Sequence, residues 1–190
     1  LMLDKSELLS KKDACARLGV PEKSKIVYVQ LGAGNINNIN SEIGMTLDVL
    51  KEFEDLYVVI GESMIGKRMN ITGERVRIIR DYPNSRFFNA FDFAIMAAGY
   101  NSFHEAIHFS LPTIFYPNLN TGQDDQLARA KIAEDLGAMM VVKERKRKNV
   151  ENAIKKIYDE NIRERMKENI KKLHAENGAE QIAKYLIDLI

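Results

Sequence analysis

Lys25-Ile26-Val27-Tyr28-Val29-Gln30-Leu31, followed at once by Gly32-Ala33-Gly34-Asn35, is the stretch whose reading decides the fold. A short run dominated by β-branched and aromatic side chains, without polar alternation, reads as a strand buried on both faces. The glycines then supply a turn. Downstream, Ser41 to Phe53 carries Ile43, Leu47 and Leu50 at the spacing of one helix face. Strand, glycine turn and helix in that order predict the first half of a βαβ unit.

The pattern repeats along the chain. Further apolar runs are Leu56–Ile60, Val76–Ile79, Phe93–Ala97, Thr113–Tyr116 and Met139–Val142. Between them, helices are predicted over Ser102–Phe109 and Asp124–Leu136, with a helical turn over Phe87–Phe91. A short helix over Ser10–Leu18 precedes them, with Asp13 helping to cap it, Gly19 just past its end and Pro21 preventing continuation. Strands that are apolar throughout and alternate with helices predict an α/β, Rossmann-like, mostly parallel sheet with helices on both faces. From Asn149 onward the chain is rich in Lys and Glu, with Ile154, Ile157 and Tyr158 on one stripe. Gly178 sets off a final helix striped with Ile182, Ala183, Leu186, Ile187 and Ile190. The expected organisation is a linker and short helix over residues 1–24, then one domain over residues 25–190 with a helical C-terminal tail.

Composition narrows the function classes. The chain has 190 residues, enough for one full-sized domain. The 28 Lys and Arg against 27 Asp and Glu leave a net charge of +1, so no nucleic-acid partner is called for. A single cysteine, Cys15, excludes an intrachain disulfide and fits a reducing, cytoplasmic compartment. No apolar run reaches the ~18 residues of a membrane span. Leu1-Met2-Leu3 is followed at once by charge, so no signal peptide is expected.

In open parallel sheets, ligands bind beyond the carboxyl ends of the strands. The loops to inspect are therefore Gly32–Asn40, Gly61–Gly66, Asp81–Ser85, Ala98–Ser102 and Asn118–Asp125. Gly99-Tyr100-Asn101-Ser102 stands where the fourth strand passes to a helix, a natural seat for a phosphate. The competing reading is a capping box, in which Ser102 and Glu105 satisfy the helix end between them. Asp124-Asp125-Gln126 opens the next helix, either as charge complementing the dipole or as acceptors for sugar hydroxyls. Gly32-Ala33-Gly34 lacks the third glycine of a dinucleotide fingerprint, since Asn37 stands in that place, so no nicotinamide cofactor is expected. His104 and His108 have metal-pair spacing without a third ligand, and no metal site is expected. The basic run Lys143–Lys148 reads as a solvated loop, with contact to an anionic membrane surface as the minority alternative.

Taken in order, these pieces resemble the C-terminal domain of the GT-B glycosyltransferases. The closest likeness is to the UDP-glycosyltransferases and the peptidoglycan GlcNAc-transferase type. The resemblance covers roughly Lys25 to Val142. It rests on Tyr82-Pro83-Asn84, on Ala97-Ala98-Gly99-Tyr100-Asn101-Ser102-Phe103-His104-Glu105-Ala106, on Ser110-Leu111-Pro112 with Pro117, and on Asp125-Gln126. It implies that Gly99, Asn101 and Ser102 hold a diphosphate and that Glu105 accepts hydrogen bonds from ribose hydroxyls. Asp125 and Gln126 would hold the donor sugar, and the loop of Arg80, Asp81 and Tyr82 the base. Gly32 and Gly34 would face the cleft. Ala97 replaces the family histidine that touches the phosphate, Asp81 the tryptophan that stacks on uracil, and Asn84 the glutamine after proline.

The resemblance further implies a UDP-sugar donor, no bound cofactor, and an N-terminal acceptor half, in the same chain or as a separate subunit. The enzyme would work in the cytoplasm, peripheral to a membrane. Two rival readings are a nucleotide-sugar hydrolase or epimerase of the same fold, and a nucleotide-binding module without catalysis.

Overall fold

The computed structural model describes residues 2–32, 39–62, 70–120, 122, 124–173 and 177–189. Six strands form one parallel sheet: β1 (Lys25–Gln30), β2 (Leu56–Gly61), β3 (Val76–Ile79), β4 (Phe93–Ala97), β5 (Thr113–Tyr116) and β6 (Met140–Val141). Their spatial order is β3-β2-β1-β4-β5-β6. β1 pairs in parallel with both β2 and β4, Val27 lying opposite Val58 on one side and Phe93 on the other. The chain runs outward from β1 to β3, then returns to start β4 on β1's other edge. The carboxyl ends of β1 and β4 therefore flank the topological switch point, where this architecture opens a crevice.

Alternation along each strand builds two cores. Ile26 and Tyr28 of β1, Ala94 and Met96 of β4 and Phe115 of β5 belong to one face. Covering that face are α1 (Lys11–Leu18), a 3-10 segment (Asn84–Ala90), α3 (Tyr100–His108) and α4 (Gln126–Asp135). Val27, Val29, Phe93, Ile95, Ile114 and Tyr116 face the other way. They meet α2 (Ile39–Leu50) and α5 (Arg147–Tyr158), with Met166 of α6 (Glu160–Ile170). α1 is built into the first core through Ala14, Cys15 and Leu18. Ser10 caps its start, accepting from the Asp13 amide at 3.1 Å, and Gly19 ends it at φ +63°.

α7 (Ala179–Asp188) closes the described chain with none of its residues buried. Among the described residues, no helix is long and apolar enough to cross a membrane.

Candidate nucleotide-binding site

β4 ends at Ala97, Ala98 is buried, and Gly99 takes extended backbone as the N-cap of α3. The first helical bond runs from the Phe103 amide to the Gly99 carbonyl at 2.9 Å. The helix thus starts at Tyr100, two residues earlier than the sequence pattern suggests. This overturns the capping box. A capping serine needs extended backbone just before the helix, whereas Ser102 is already the third helical residue. Gly99 makes no side-chain cap bond. The N-cap residue thus offers the first-turn N–H groups no side chain, and they stand at the switch point with the helix dipole behind them.

Glu105, released from capping, accepts a hydrogen bond at 2.9 Å from Ser85 Oγ. Burial raises its pKa above the usual carboxylate range, and the Ser85 bond opposes that rise. Both residues line a cavity of about 410 Å³, a size suited to a small ligand. β1 contributes Tyr28 and Gln30 to its wall. Tyr82, Asn84, Ser85 and Phe88 come from the chain after β3, Asn101, Ser102 and Glu105 from α3, and Met2 from the N-terminal segment. The Tyr28 hydroxyl donates to Gln30 Oε1 at 3.0 Å. Burial raises the Tyr28 pKa so far that the phenol stays neutral. Asn84 is buried, and among the described residues its Oδ1 has no hydrogen-bond donor.

Of the residues singled out from sequence, Tyr82, Asn101, Ser102 and Glu105 share this cavity, and Gly99 heads the adjoining helix. Gly32 follows β1 with φ +100°, a backbone that glycine tolerates and other residues do not. Gly34 lies outside the described residues. Arg80 turns to the buried Glu62. Asp81 is held between Arg17 at 2.5 Å and Arg86 at 3.4 Å. Their charges thus brace the loop, and Tyr82 alone of the three meets the cavity.

Asp125 and Gln126 stand apart from the cavity wall. Asp125 caps α4, accepting from the Ala128 amide at 2.9 Å. The Gln126 amide is engaged at both ends, accepting from the Asn118 amide at 3.0 Å and donating to Asp124 at 3.3 Å. Arg129 ties this corner to the helix start: it pairs with Asp124 and donates to the Ala98 carbonyl at 2.9 Å. Its guanidinium also lies 5.5 Å from the Tyr100 ring. His104 beside it has a lowered pKa, through burial and then the Arg129 charge. Among the described residues, no group of three His, Cys, Asp or Glu is placed to hold a metal.

Sequence reasoning missed Tyr28, Gln30, Ser85, Phe88 and Arg129. For Tyr28 and Gln30 a signal existed, since strand alternation sets them on one face at the end of β1. It also missed Arg145, which departs from the solvated basic run. Arg145 pairs with Glu42 of α2, donates to the Pro117 carbonyl at 2.7 Å and lies 5.7 Å from the Tyr116 ring.

Residues 27–185 match the glycosyltransferase family 28 C-terminal domain. One relative is the UDP-N-acetylglucosamine–N-acetylmuramyl-(pentapeptide) pyrophosphoryl-undecaprenol N-acetylglucosamine transferase of Aquifex aeolicus. It is 31% identical over 168 residues, covering 82% of this chain and 48% of the relative. The crystal structure of Acinetobacter baumannii MurG superposes with a TM-score of 0.67 at 16% identity, over 96% of this chain and 54% of that one. The spinosyn rhamnosyltransferase SpnG, complexed with thymidine diphosphate, gives 0.61 at 15% identity, over 78% and 42%. This chain spans about half the length of the relatives it matches. By the extent of the family match, with the same architecture in the solved structures, the chain belongs to the glycosyltransferase family 28 C-terminal domain family.

Proposed function

We propose that this domain binds a nucleoside diphosphate sugar, with UDP as the nucleotide, and forms the donor-binding half of a glycosyltransferase. The observation that carries this reading is the start of α3. A glycine N-cap without a side-chain bond lies at the switch point, beside a cavity holding a half-buried carboxylate. The diphosphate takes the first-turn N–H groups at Gly99–Ser102. Glu105, with one oxygen on Ser85, directs the other at the ribose hydroxyls, to which a carboxylate offers only acceptors. During sugar transfer the leaving diphosphate gains negative charge. Donors already fixed at a helix N-terminus stabilise that charge without having to reorganise. Asp125 and Gln126 serve the donor sugar from the head of α4, beside Asp124, which Arg129 pairs with while donating to the carbonyl of the residue before Gly99.

The acceptor site and the remaining catalytic groups belong to an N-terminal half, in keeping with a chain that spans half the length of its relatives. α7 supplies a surface for that half: Ile182, Tyr185, Leu186 and Ile187 on the helix, with Leu189 just past its end, are 55–70% exposed. The assembled enzyme works in the cytoplasm, against a membrane surface. A relative whose acceptor carries undecaprenol supports that placement.

Calorimetric titration of this chain with UDP, GDP, dTDP and ADP tests the donor reading. UDP is expected to bind tightest, and binding by none of the four would refute the proposal. Glu105→Ala should weaken UDP binding far more than it lowers the melting temperature.

A further inference from the structure

Among the described residues that line the cavity, Glu105 is the one carboxylate, and its surroundings are poor in compensating charge. Among the described residues that line the cavity there is no lysine or arginine. The titratable side chains facing it are Tyr28 from β1, which stays neutral, and the exposed Tyr82 from the exit of β3. A desolvated carboxylate in such a place loses its proton reluctantly and is free to choose among rotamers. Ser85 opposes both tendencies. Its side chain is buried, with 2% of the residue exposed, and its hydroxyl donates to Glu105 Oε1 at 2.9 Å.

Ser85 is itself held firmly. It belongs to the 3-10 segment Asn84–Ala90, which is strapped to the chain before α1 by two hydrogen bonds. The Leu9 amide donates to the Arg86 carbonyl at 2.9 Å, and Asn89 Nδ2 donates to the Leu9 carbonyl at 2.9 Å. Phe87 and Phe88 anchor the same segment in the core.

We propose that Ser85 is a positioning residue for donor binding: its hydroxyl fixes the Glu105 carboxylate with one oxygen occupied and the other turned to the cavity, and holds it ionised. This rests on the reading of Glu105 as the ribose-binding carboxylate. Binding then requires the ionised form, so affinity is present above the Glu105 pKa and is lost as pH falls through it. Removing the hydroxyl raises that pKa further and moves the acid limb of binding to higher pH.

The test is UDP affinity of this chain from pH 4.5 to 8.5 for wild type, Ser85→Ala, Ser85→Thr and Glu105→Ala. One lost hydrogen bond to a charged group corresponds to an acid limb shifted up by about 1 pH unit and a 3- to 10-fold weaker Kd at pH 8. Ser85→Thr keeps the hydroxyl and should restore the wild-type limb. The 2′,3′-dideoxy analogue of UDP should bind wild type and Ser85→Ala equally. Should Ser85→Ala fail to fold, Ser85→Cys, with a weak donor of similar size, carries the same comparison. Carbon-13 NMR titration of the Glu105 carboxyl without nucleotide reads the shift directly. An unmoved acid limb in Ser85→Ala, with UDP binding lost in Glu105→Ala, overturns the role of Ser85 and leaves the donor site standing. Absence of UDP binding by wild type overturns both.

Discussion

Gly61→Ala tests how the cavity floor is built. Gly61 ends β2, and a Cβ placed on it falls 2.1 Å from Tyr28 Oη, 2.6 Å from Cζ and 2.8 Å from Cε2. A flexible surface side chain would swing away. Tyr28 is fully buried, stacked on Phe91 at 4.9 Å between ring centroids, tilted against Phe88 at 5.5 Å and hydrogen-bonded to Gln30. The ring has nowhere to go without repacking the floor. Overpacking of this kind costs about 1–3 kcal/mol, and loss of the Tyr28–Gln30 hydrogen bond adds about 1 kcal/mol. The expected destabilisation is therefore about 2–4 kcal/mol, or a fall in melting temperature of about 5–12 °C for a domain of this size. Without the clash, alanine would be neutral or slightly stabilising, because it restricts the unfolded chain. Urea and thermal unfolding of Gly61→Ala measure the cost. The same substitution in a Tyr28→Leu background isolates its cause, since the cost should fall below about 1 kcal/mol there. A loss under about 0.5 kcal/mol in the wild-type background, or an equal loss in both, would refute the reasoning.

Ser110 ends the α3 region with φ +56°, left-handed backbone that favours glycine. Ser110→Gly should stabilise by about 0.5–1 kcal/mol in urea unfolding; a destabilised variant would show the serine side chain to be needed. Arg145→Met strands Glu42, whose side chain is 21% exposed, and takes a donor from the Pro117 carbonyl. It should cost about 1–3 kcal/mol, with Glu42→Gln recovering part of the loss, and an unchanged unfolding midpoint would count against the brace. Ile182→Lys with Leu186→Glu on α7 should leave the melting temperature of this chain nearly unchanged, as surface substitutions do. The same pair should weaken association with the N-terminal half, measured by size exclusion, by at least about tenfold. A large loss of stability in the chain alone would instead place that face against its own domain.

The strands were legible because a parallel sheet covered on both faces demands continuous apolar runs. Lys25–Leu31 differs from β1 only at Leu31, and Val76–Ile79 coincides with β3. Met139–Val142 shrinks to Met140–Val141 because an edge strand pairs along one side only. Helix ends were read less well. The turn expected over Phe87–Phe91 begins at Asn84, because extended backbone at Pro83 starts the 3-10 segment. Strand order left no local mark in the sequence. That β1 sits between β2 and β4 is a property of the whole sheet, yet it is what brings Gly32 and Gly99 to one crevice.

The candidate site shows where a linear pattern stops informing. Ser102 and Glu105 stand three apart, and that spacing serves two ends equally. With Ser102 extended before a helix it makes a capping box; with both inside the helix it sets them on one face. Only the backbone of Ser102 decides. It is settled three residues upstream, where Gly99 takes φ −61° and ψ 155° and the helix starts at once. The carboxylate is then left for a partner that sequence distance conceals. Ser85 lies 20 residues earlier, on an element strapped to the chain before α1. Gln126 stands in a different setting. Its residue type suits a sugar ligand, and Asn118 and Asp124 engage one acceptor and one donor site of its amide, so a sugar would share the amide with them. A motif thus states which polar groups are present. How a group can meet a ligand depends on what the fold has already set beside it: Glu105 accepts from Ser85 at one oxygen, whereas the Gln126 amide has a partner at its oxygen and another at its nitrogen.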